Sequence, residues 1–337
     1  MSKNNATFVA QIKMYIHHQH NTTMKKILLL LALVACALTT MAQEAKQNPN
    51  EEVQYVVNNC PVTPVREEPS EAAEQATQLL FGDVCELLER RSSWAKIRST
   101  LDGQVGWVSY KMMTPVVEEA IQAKSIATVA IPMAVATDIQ TGEKRMLTIG
   151  TRLPNYKNGS FELLGKRYKI NRKAVYRLSA NGDKVLVNGK SVTGEDVVRV
   201  AQQLLNVAYL WGGKNMMGYD CSGFTQTVYG VFGINLLRNA REQVTQGEVV
   251  ASLAEAQPGD LVFFDHADRD PNATRITHVG MLISPTQVLH CSGCVHIDRI
   301  DENGIYLSDG TMTHHLAQIK RYLEQSGSRA LGRLFQS

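Results

Sequence analysis

The chain has 337 residues, of which 44% are hydrophobic and 20% charged, a globular composition with room for two or three domains. It fits neither a disordered chain nor a multi-span membrane protein. The formal charge of +3 arises in residues 1–42, which hold Lys3, Lys13, Lys25 and Lys26 and no acid; taking these four from 35 basic residues leaves 31 against 32 acidic ones, without the basic excess of a nucleic-acid binder.

Residues 1–42 read as a leader. "MKKILLLLALVACALTTMAQ" opens at Met24 with two lysines, runs through an apolar core and ends on Thr40-Met41-Ala42. This is the layout of a secretory signal peptide over 24–42, too short for a comfortable membrane span. Leu33-Val34-Ala35-Cys36 also reads as a lipoprotein box, so a lipid anchor at Cys36 is the alternative to cleavage after Ala42. Either way the expectation is export to the periplasm or cell envelope. Residues 43–52 are polar and read as a linker.

From 53 to 118, short β-type runs ("VQYVV", "DVCELLER", "WAKIR", "GQVGWVSY") alternate with turn residues, the spacing of a small barrel or sandwich. "TQLLFGD…WAKIR…DGQVGWV" resembles a bacterial SH3-like module. Residues 119–190 repeat the β-rich character with a weaker signature ("SIATVAI", "YRLSANGDKVLVNG") and read as a second such module. The pattern changes in the third region, 191–335. Val197, Val200, Ala201, Leu204 and Leu205 form a helical stripe, with Thr193 and Asp196 spaced for a capping box. Cys221, Phe224, Val228 and Phe232 mark a second helix. After the turn "QPGD" come the strands "LVFF", "HVGMLI" and "QVLH". Helices followed by antiparallel strands make an α+β layout.

Six cysteines in an exported chain raise the question of disulfides. With Cys36 in the leader, Cys60, Cys85, Cys221, Cys291 and Cys294 remain. Five is odd, so at least one thiol is unpaired within the chain; Cys60 with Cys85 and Cys291 with Cys294 are open possibilities. "HCSGC" at 290–294 is a lone C-x-x-C without the second ligand pair that a zinc site wants, and no metal or cofactor is expected.

The stretch "YDCSGF", 219–224, points to a nucleophile. Asp220 suits an N-cap, which sets Cys221 in the first helical turn, where unpaired N–H groups favour a thiolate. Gly223 would leave room for a substrate. His278, opening an apolar strand, is the candidate base, and His290, twelve residues on in the next strand, is the candidate orienting group. Spacing alone leaves coincidence open.

Taken together, "YLWGG…YDCSGFTQTVY", "PGDLVFF", "THVGMLI" and "VLHCSG" resemble the NlpC family of cell-wall cysteine peptidases over about residues 193–335. The resemblance implies a papain-like α+β domain preceded by two small all-β SH3-like barrels. It implies Cys221 as nucleophile, His278 as base, His290 as third residue and Tyr209 near the oxyanion. Trp211, Asp220 and Ser222 become substrate-cleft residues; the plain alternatives are a core aromatic, a simple N-cap and a helix-turn hydroxyl. The family's usual Arg-Asp-Ser is Arg238-Asn239-Ala240 here, so Asn239 keeps the shape of the acid without its charge. The polar insertion "DHADRDPNATRI" at 265–276 departs as well, and its His266 reads as a solvent-facing loop residue; His296, His314 and His315 have no motif support. The domain arrangement resembles the branch that cuts murein peptides between γ-D-glutamate and the diamino acid, with Glu74 and Tyr110 of the first module placed to meet a free L-alanine amino group. An amidase or acyltransferase using the same Cys-His pair is the alternative expectation, and a wall-binding protein without catalysis is disfavoured by the intact Cys221, His278 and His290.

Overall fold

Runs of branched and aromatic residues, broken every few positions by Gly, Asn or Asp, make antiparallel sheet the dominant structure among the described residues. The computed structural model describes residues 55–116, 123, 126–181, 184–266 and 275–323, all within the second of two units, 53–337. The leader with Cys36, the linker and most of the insertion after Asp265 lie outside the described residues.

The first seven strands are β1 (Tyr55–Asn58), β2 (Val62–Arg66), β3 (Gln75–Leu80), β4 (Val84–Arg91), β5 (Trp94–Ser99), β6 (Val105–Ser109) and β7 (Met113–Val116). They pair in the order β3-β2-β6-β5-β4-β1-β7 around Val56, Val65, Leu79, Cys85, Ile97 and Val108. Gly106 has a steric reason to be glycine: a Cβ there would lie 2.5 Å from a Val65 methyl and 2.9 Å from the Arg66 carbonyl.

Nine strands follow: β8 (Ile126–Val129), β9 (Met133–Asp138), β10 (Lys144–Thr148), β11 (Arg152–Pro154), β12 (Ser160–Leu163), β13 (Lys166–Ile170), β14 (Val175–Asn181), β15 (Lys184–Val187) and β16 (Lys190–Ser191). They form two sheets, β10-β9-β13-β12 and β11-β8-β14-β15-β16, closed over Leu147, Leu153, Phe161 and Tyr168. These two small all-β bodies are SH3-like, and they precede an α+β domain of papain-like layout.

That domain opens with α1 (Gly194–Gln202). Thr193 caps it, accepting the Asp196 N–H at 3.3 Å while the Asp196 carboxylate accepts the Thr193 N–H at 3.0 Å. Val197, Val200, Ala201 and Leu204 are buried as their periodicity predicts, but the helix ends before Leu205, which is exposed. A short hairpin, β17 (Lys214–Asn215) and β18 (Gly218–Tyr219), leads into α2 (Cys221–Val231) and the single turn α3 (Ala240–Gln243). The rest is strand: β19 (Glu248–Val250), β20 (Leu261–His266), β21 (His278–Ser284), β22 (Gln287–Ser292), β23 (Cys294–Asp301), β24 (Gly304–Tyr306) and β25 (Met312–Arg321).

Their order is β19-β25-β20-β21-β22-β23-β24, and β24 also pairs with β25, so six strands close on themselves. Alternation then sorts the side chains. Val262, Phe264, Leu282, Val288, Ile300 and Ile305 share one cluster. Leu261, Phe263, Val279, Met281, Leu289 and Cys291 join a second with α1 and α2. Each fully buried Leu, Val or Phe there contributes about 1.5–3 kcal/mol.

Every residue of α2 except Gly230 is buried. Phe224 and Val228 face the strands, whereas the polar side is covered by the two β bodies. Gln226 donates to the Asp102 carboxylate at 2.9 Å, and the Thr128 hydroxyl donates to the Val231 carbonyl at 2.5 Å. The helix is therefore wedged between all three regions.

Candidate active site

Asp220, in extended conformation, caps α2 by accepting the Gly223 N–H at 2.6 Å. Cys221 thereby stands at the end where helix N–H groups lack partners. The space beside Gly223 is not open to a substrate, as its sequence context suggested. A Cβ at 223 would lie 2.1 Å from the Gly213 carbonyl oxygen, so this glycine lets the "WGG" loop cross the first turn.

The Asp220 carboxylate is heavily used. It also accepts from the Gly212 N–H at 2.9 Å, from the Ser222 hydroxyl at 3.2 Å, and from Arg238 Nη1 and Nη2 at 3.0 and 2.5 Å. Arg238 is fully buried and also donates to Ser222 Oγ at 3.0 Å and, through Nε, to Thr77 Oγ1 of β3 at 2.7 Å. Burial alone would discourage that charge, but Asp220 more than offsets it and holds the guanidinium above its ordinary range. Asp220 and Ser222 thus lock the helix start to Arg238 and to the first β body.

The expectation of a stabilised thiolate at Cys221 is reversed. Burial, followed by the adjacent Asp220 charge, pushes the thiol up to about 12. The Val279 and Ser222 N–H groups and Arg238 pull the other way without compensating. A helix start lowers a thiol pKa only where the sulfur is not also buried beside a carboxylate.

The bond from the Val279 N–H puts the sulfur one residue from His278 along β21. Gly280 faces His290 across β21 and β22, and a Cβ at 280 would lie 3.0 Å from that of His290. The missing side chain lets His290 lean toward His278, and His278 Nε2 meets His290 Nδ1 at 2.8 Å. His290 Nε2 meets Asp298 Oδ2 of β23 at 3.2 Å. A carboxylate only accepts, so neutral His290 carries its proton on Nε2, its Nδ1 accepts, and His278 donates from Nε2. This leaves His278 Nδ1 with a lone pair, the tautomer a base needs. Burial lowers the His290 pKa although Asp298 opposes the shift, and the bond from His290 is the main cause that lowers the pKa of Asp298.

Two more histidines join this cluster. His296 lies opposite His290 in the β22–β23 ladder and brings its Nε2 to 3.1 Å from Asp298 Oδ2. His314 of β25 stacks on His278, with centroids 4.4 Å apart and planes 28° apart. Neither has a motif, and nor does Asp298. The hairpin about Gly293 was the available signal for two of them: pairing Ser292 with Cys294 sets His290 against His296, with Asp298 two residues on along the same face. Barrel closure, which brings in His314, left no trace in the sequence.

The other candidates scatter. Tyr209 is half-buried, and burial, then the Cys221 charge, raise its phenol pKa, so it remains a donor near the sulfur. Trp211 is 61% exposed, which rules out a core aromatic, and its carbonyl accepts from Gln75 Nε2 at 2.9 Å. Asn239 starts α3, where its side-chain amide and backbone N–H both donate to the Glu242 carboxylate, at 2.9 and 3.1 Å. Glu74, next to Gln75, is exposed, and its carboxylate has no partner among the described residues. Tyr110 packs on the first β body's core under the Arg90 guanidinium, 3.2 Å from its ring centroid. The five described cysteines are all free thiols: Cys85 lies in that same core, and Cys291 donates to the Tyr219 carbonyl at 3.1 Å. Among the described residues, the group whose ligand atoms converge closely enough for a metal ion is His290, His296 and Asp298, not the C-x-x-C pair.

A buried cysteine at a helix start beside a strand-borne histidine, over a closed antiparallel barrel, defines the papain-like cysteine peptidases. Residues 206–305 match the NlpC/P60 family and residues 65–111 match the bacterial dipeptidyl-peptidase Sh3 domain. A probable endopeptidase of Haemophilus influenzae is 33% identical over 121 residues, covering 34% of this chain and 72% of that protein. A γ-D-glutamyl-L-lysine dipeptidyl-peptidase of Bacillus cereus is 25% identical over 236 residues, 64% of this chain, and the chain spans 66% of that relative's length. The crystal structure of an NlpC/P60 family protein from Bacillus cereus shares the fold with a TM-score of 0.64 at 20% identity, covering 80% of this chain and 99% of that one. The chain belongs to the NlpC/P60 family, a family of cysteine peptidases.

Proposed function

We propose that this chain hydrolyses the bond between γ-D-glutamate and the diamino acid of murein peptides bearing a free amino-terminal L-alanine, and acts after export in the periplasm or cell envelope. The observation that carries the reading is the hydrogen-bonded row from His278 through His290 to Asp298, which ends one residue from the strand N–H that holds the Cys221 sulfur. The name of the Bacillus cereus relative supports the substrate class, and the leader supports export, with cleavage after Ala42 or lipidation at Cys36.

With the thiol pushed up to about 12, almost no thiolate stands ready at neutral pH. The base acts during attack: His278 Nδ1 takes the thiol proton as Sγ bonds to the γ-carbonyl carbon. Tyr209 and backbone N–H groups at the start of α2 donate to the oxyanion. His278 then returns the proton to the leaving amine, giving a thioester. A water that loses its proton to His278 cleaves the thioester and frees the glutamate carboxyl. His290 and Asp298 are positioning residues that keep the lone pair of His278 on Nδ1.

An ammonium taken out of water needs a carboxylate. Asp220 is spent on Arg238 and Asn239 on its cap, which leaves Glu74, beside the Gln75–Trp211 contact, to meet the L-alanine amino group. The test is mass spectrometry of products from L-Ala-γ-D-Glu-diamino acid and its N-acetylated form, for wild type, Cys221→Ala and Glu74→Gln. Release of L-Ala-γ-D-Glu with loss of turnover in Cys221→Ala of at least ~10³-fold is expected. Undiminished turnover by Cys221→Ala, or transfer products in place of hydrolysis, would overturn the reading. Equal rates on the free and acetylated peptides would remove the requirement for a free alanine. Glu74→Gln should lose most of the discrimination.

A further inference from the structure

The carbonyl of Cys294 can only accept, so the 2.8 Å contact from His296 Nδ1 fixes the ring proton on that nitrogen. The Nε2 of neutral His296 then turns a lone pair toward Asp298 Oδ2, 3.1 Å away, an oxygen that already accepts from His290. Two acceptors at that distance need a positive charge between them, supplied by a proton or by a metal ion. A hydrogen bond fits that distance, and so does a metal. Zinc–ligand bonds of ~2.0–2.1 Å at tetrahedral angles place neighbouring ligand atoms ~3.3 Å apart, close to the 3.1 and 3.2 Å between these atoms, and all three atoms lie within 4.8 Å of one another. His290 is buried, but the His296 side chain is 31% exposed, which leaves a route from solvent and a side for water as a further ligand.

We propose that His290, His296 and Asp298 form a binding site for a zinc-class divalent cation, and that occupancy switches the peptidase off. The inhibitory half rests on the catalytic reading above. A metal on His290 Nε2 displaces the proton from that nitrogen, so a neutral His290 carries it on Nδ1 and points it at His278 Nε2. His278 must then accept on Nε2 and hold its own proton on Nδ1, where it can no longer take one from Cys221. The bonds to Asp298 and His296 are replaced by metal ligation, and no further reactant is required.

The test is calorimetric titration of ZnCl2 into three full-length proteins: wild type, Cys221→Ala, and Cys221→Ala with His296→Ala. His17, His18 and His20 near the amino terminus contribute alike to all three, so the site is read as a difference. Cys221→Ala should keep the zinc equivalent, and adding His296→Ala should weaken it at least ~10-fold. Loss on Cys221→Ala alone would put the metal on the cysteine, and an unchanged double variant would take it off His296; either overturns the proposal. Asp298→Asn serves as a second ligand variant should His296→Ala fold poorly. The Co2+ difference spectrum should show ligand-field bands without thiolate-to-cobalt charge transfer, and a charge-transfer band would overturn the site. Turnover indifferent to saturating zinc would overturn the inhibition. A chain that binds zinc in this pattern yet cuts no murein peptide would sink the catalytic reading and leave the metal site standing.

Discussion

Two carboxylates flank the Cys221–His278 pair, and they do different work. Asp220, on the helix side, faces a guanidinium that stays charged, and its five accepted bonds fix where backbone and barrel sit. Asp298, on the strand side, faces two imidazoles, whose bonds depend on which nitrogen carries the proton. One acid sets position and the other sets tautomer. The difference shows why a peptidase gains from a wholly buried arginine: a partner that never titrates keeps the scaffold independent of the proton traffic next to it.

The largest effect should come from breaking the helix side. Arg238→Met leaves Asp220 buried without its partner and should cost about 3–5 kcal/mol of stability. Combining it with Asp220→Asn should recover part of the loss. Chemical denaturation of the three variants measures this, and a single variant as stable as wild type would show that the pair is not an anchor.

On the strand side the loss should fall on rate. His290→Ala is expected to lower kcat by ~10²–10⁴-fold, up to the loss that follows when the group orienting a catalytic histidine is disabled, with little change in KM. His290→Asn should lose less, because its amide oxygen can still accept from His278 Nε2. Equal losses would mean that the ring does more than orient.

The smallest effect is the pH dependence of stability. Burial lowers the folded pKa of His290 below its ordinary 6.5, so below that pH the unfolded chain binds a proton that the folded one refuses. Stability therefore falls as pH drops through about 6.5. The lowered pKa of Asp298 acts in the same direction in a more acid window, below its ordinary 3.8. Urea midpoints between pH 7.5 and 5 should fall less steeply for His290→Asn than for wild type, and parallel slopes would assign the acid sensitivity elsewhere.

Much of this was legible in the sequence. The runs at 84–90, 94–98, 126–129, 261–264 and 278–283 read as strands and are strands, and the stretch "YDCSGF" announced a capped helix beginning at its cysteine. His278 and His290 stood out because a histidine in an apolar strand needs a reason. What stayed hidden depended on partners far along the chain. Arg238 looked like one residue of a motif until β3 supplied Thr77, 161 positions away. Nothing local reveals that two β bodies cover the polar side of α2. The raised pKa of the Cys221 thiol is hidden for the same reason: a helix start is visible in sequence, whereas the burial that outweighs it is made by the tertiary fold.

The Arg238–Thr77 bond bears on how such chains are assembled by recombination. Gln75 reaches the Trp211 carbonyl, and Gln78 accepts from the Lys214 N–H and the Asn215 amide, so β3 completes the floor on which Cys221 rests. A catalytic domain cut away from this module would leave Arg238 short of a buried acceptor, and a foreign module would need an oxygen at the same point. In this chain the boundary is a seam for sequence comparison but not for structure: the catalytic domain is expected to need this module, or another that supplies an oxygen at the same point.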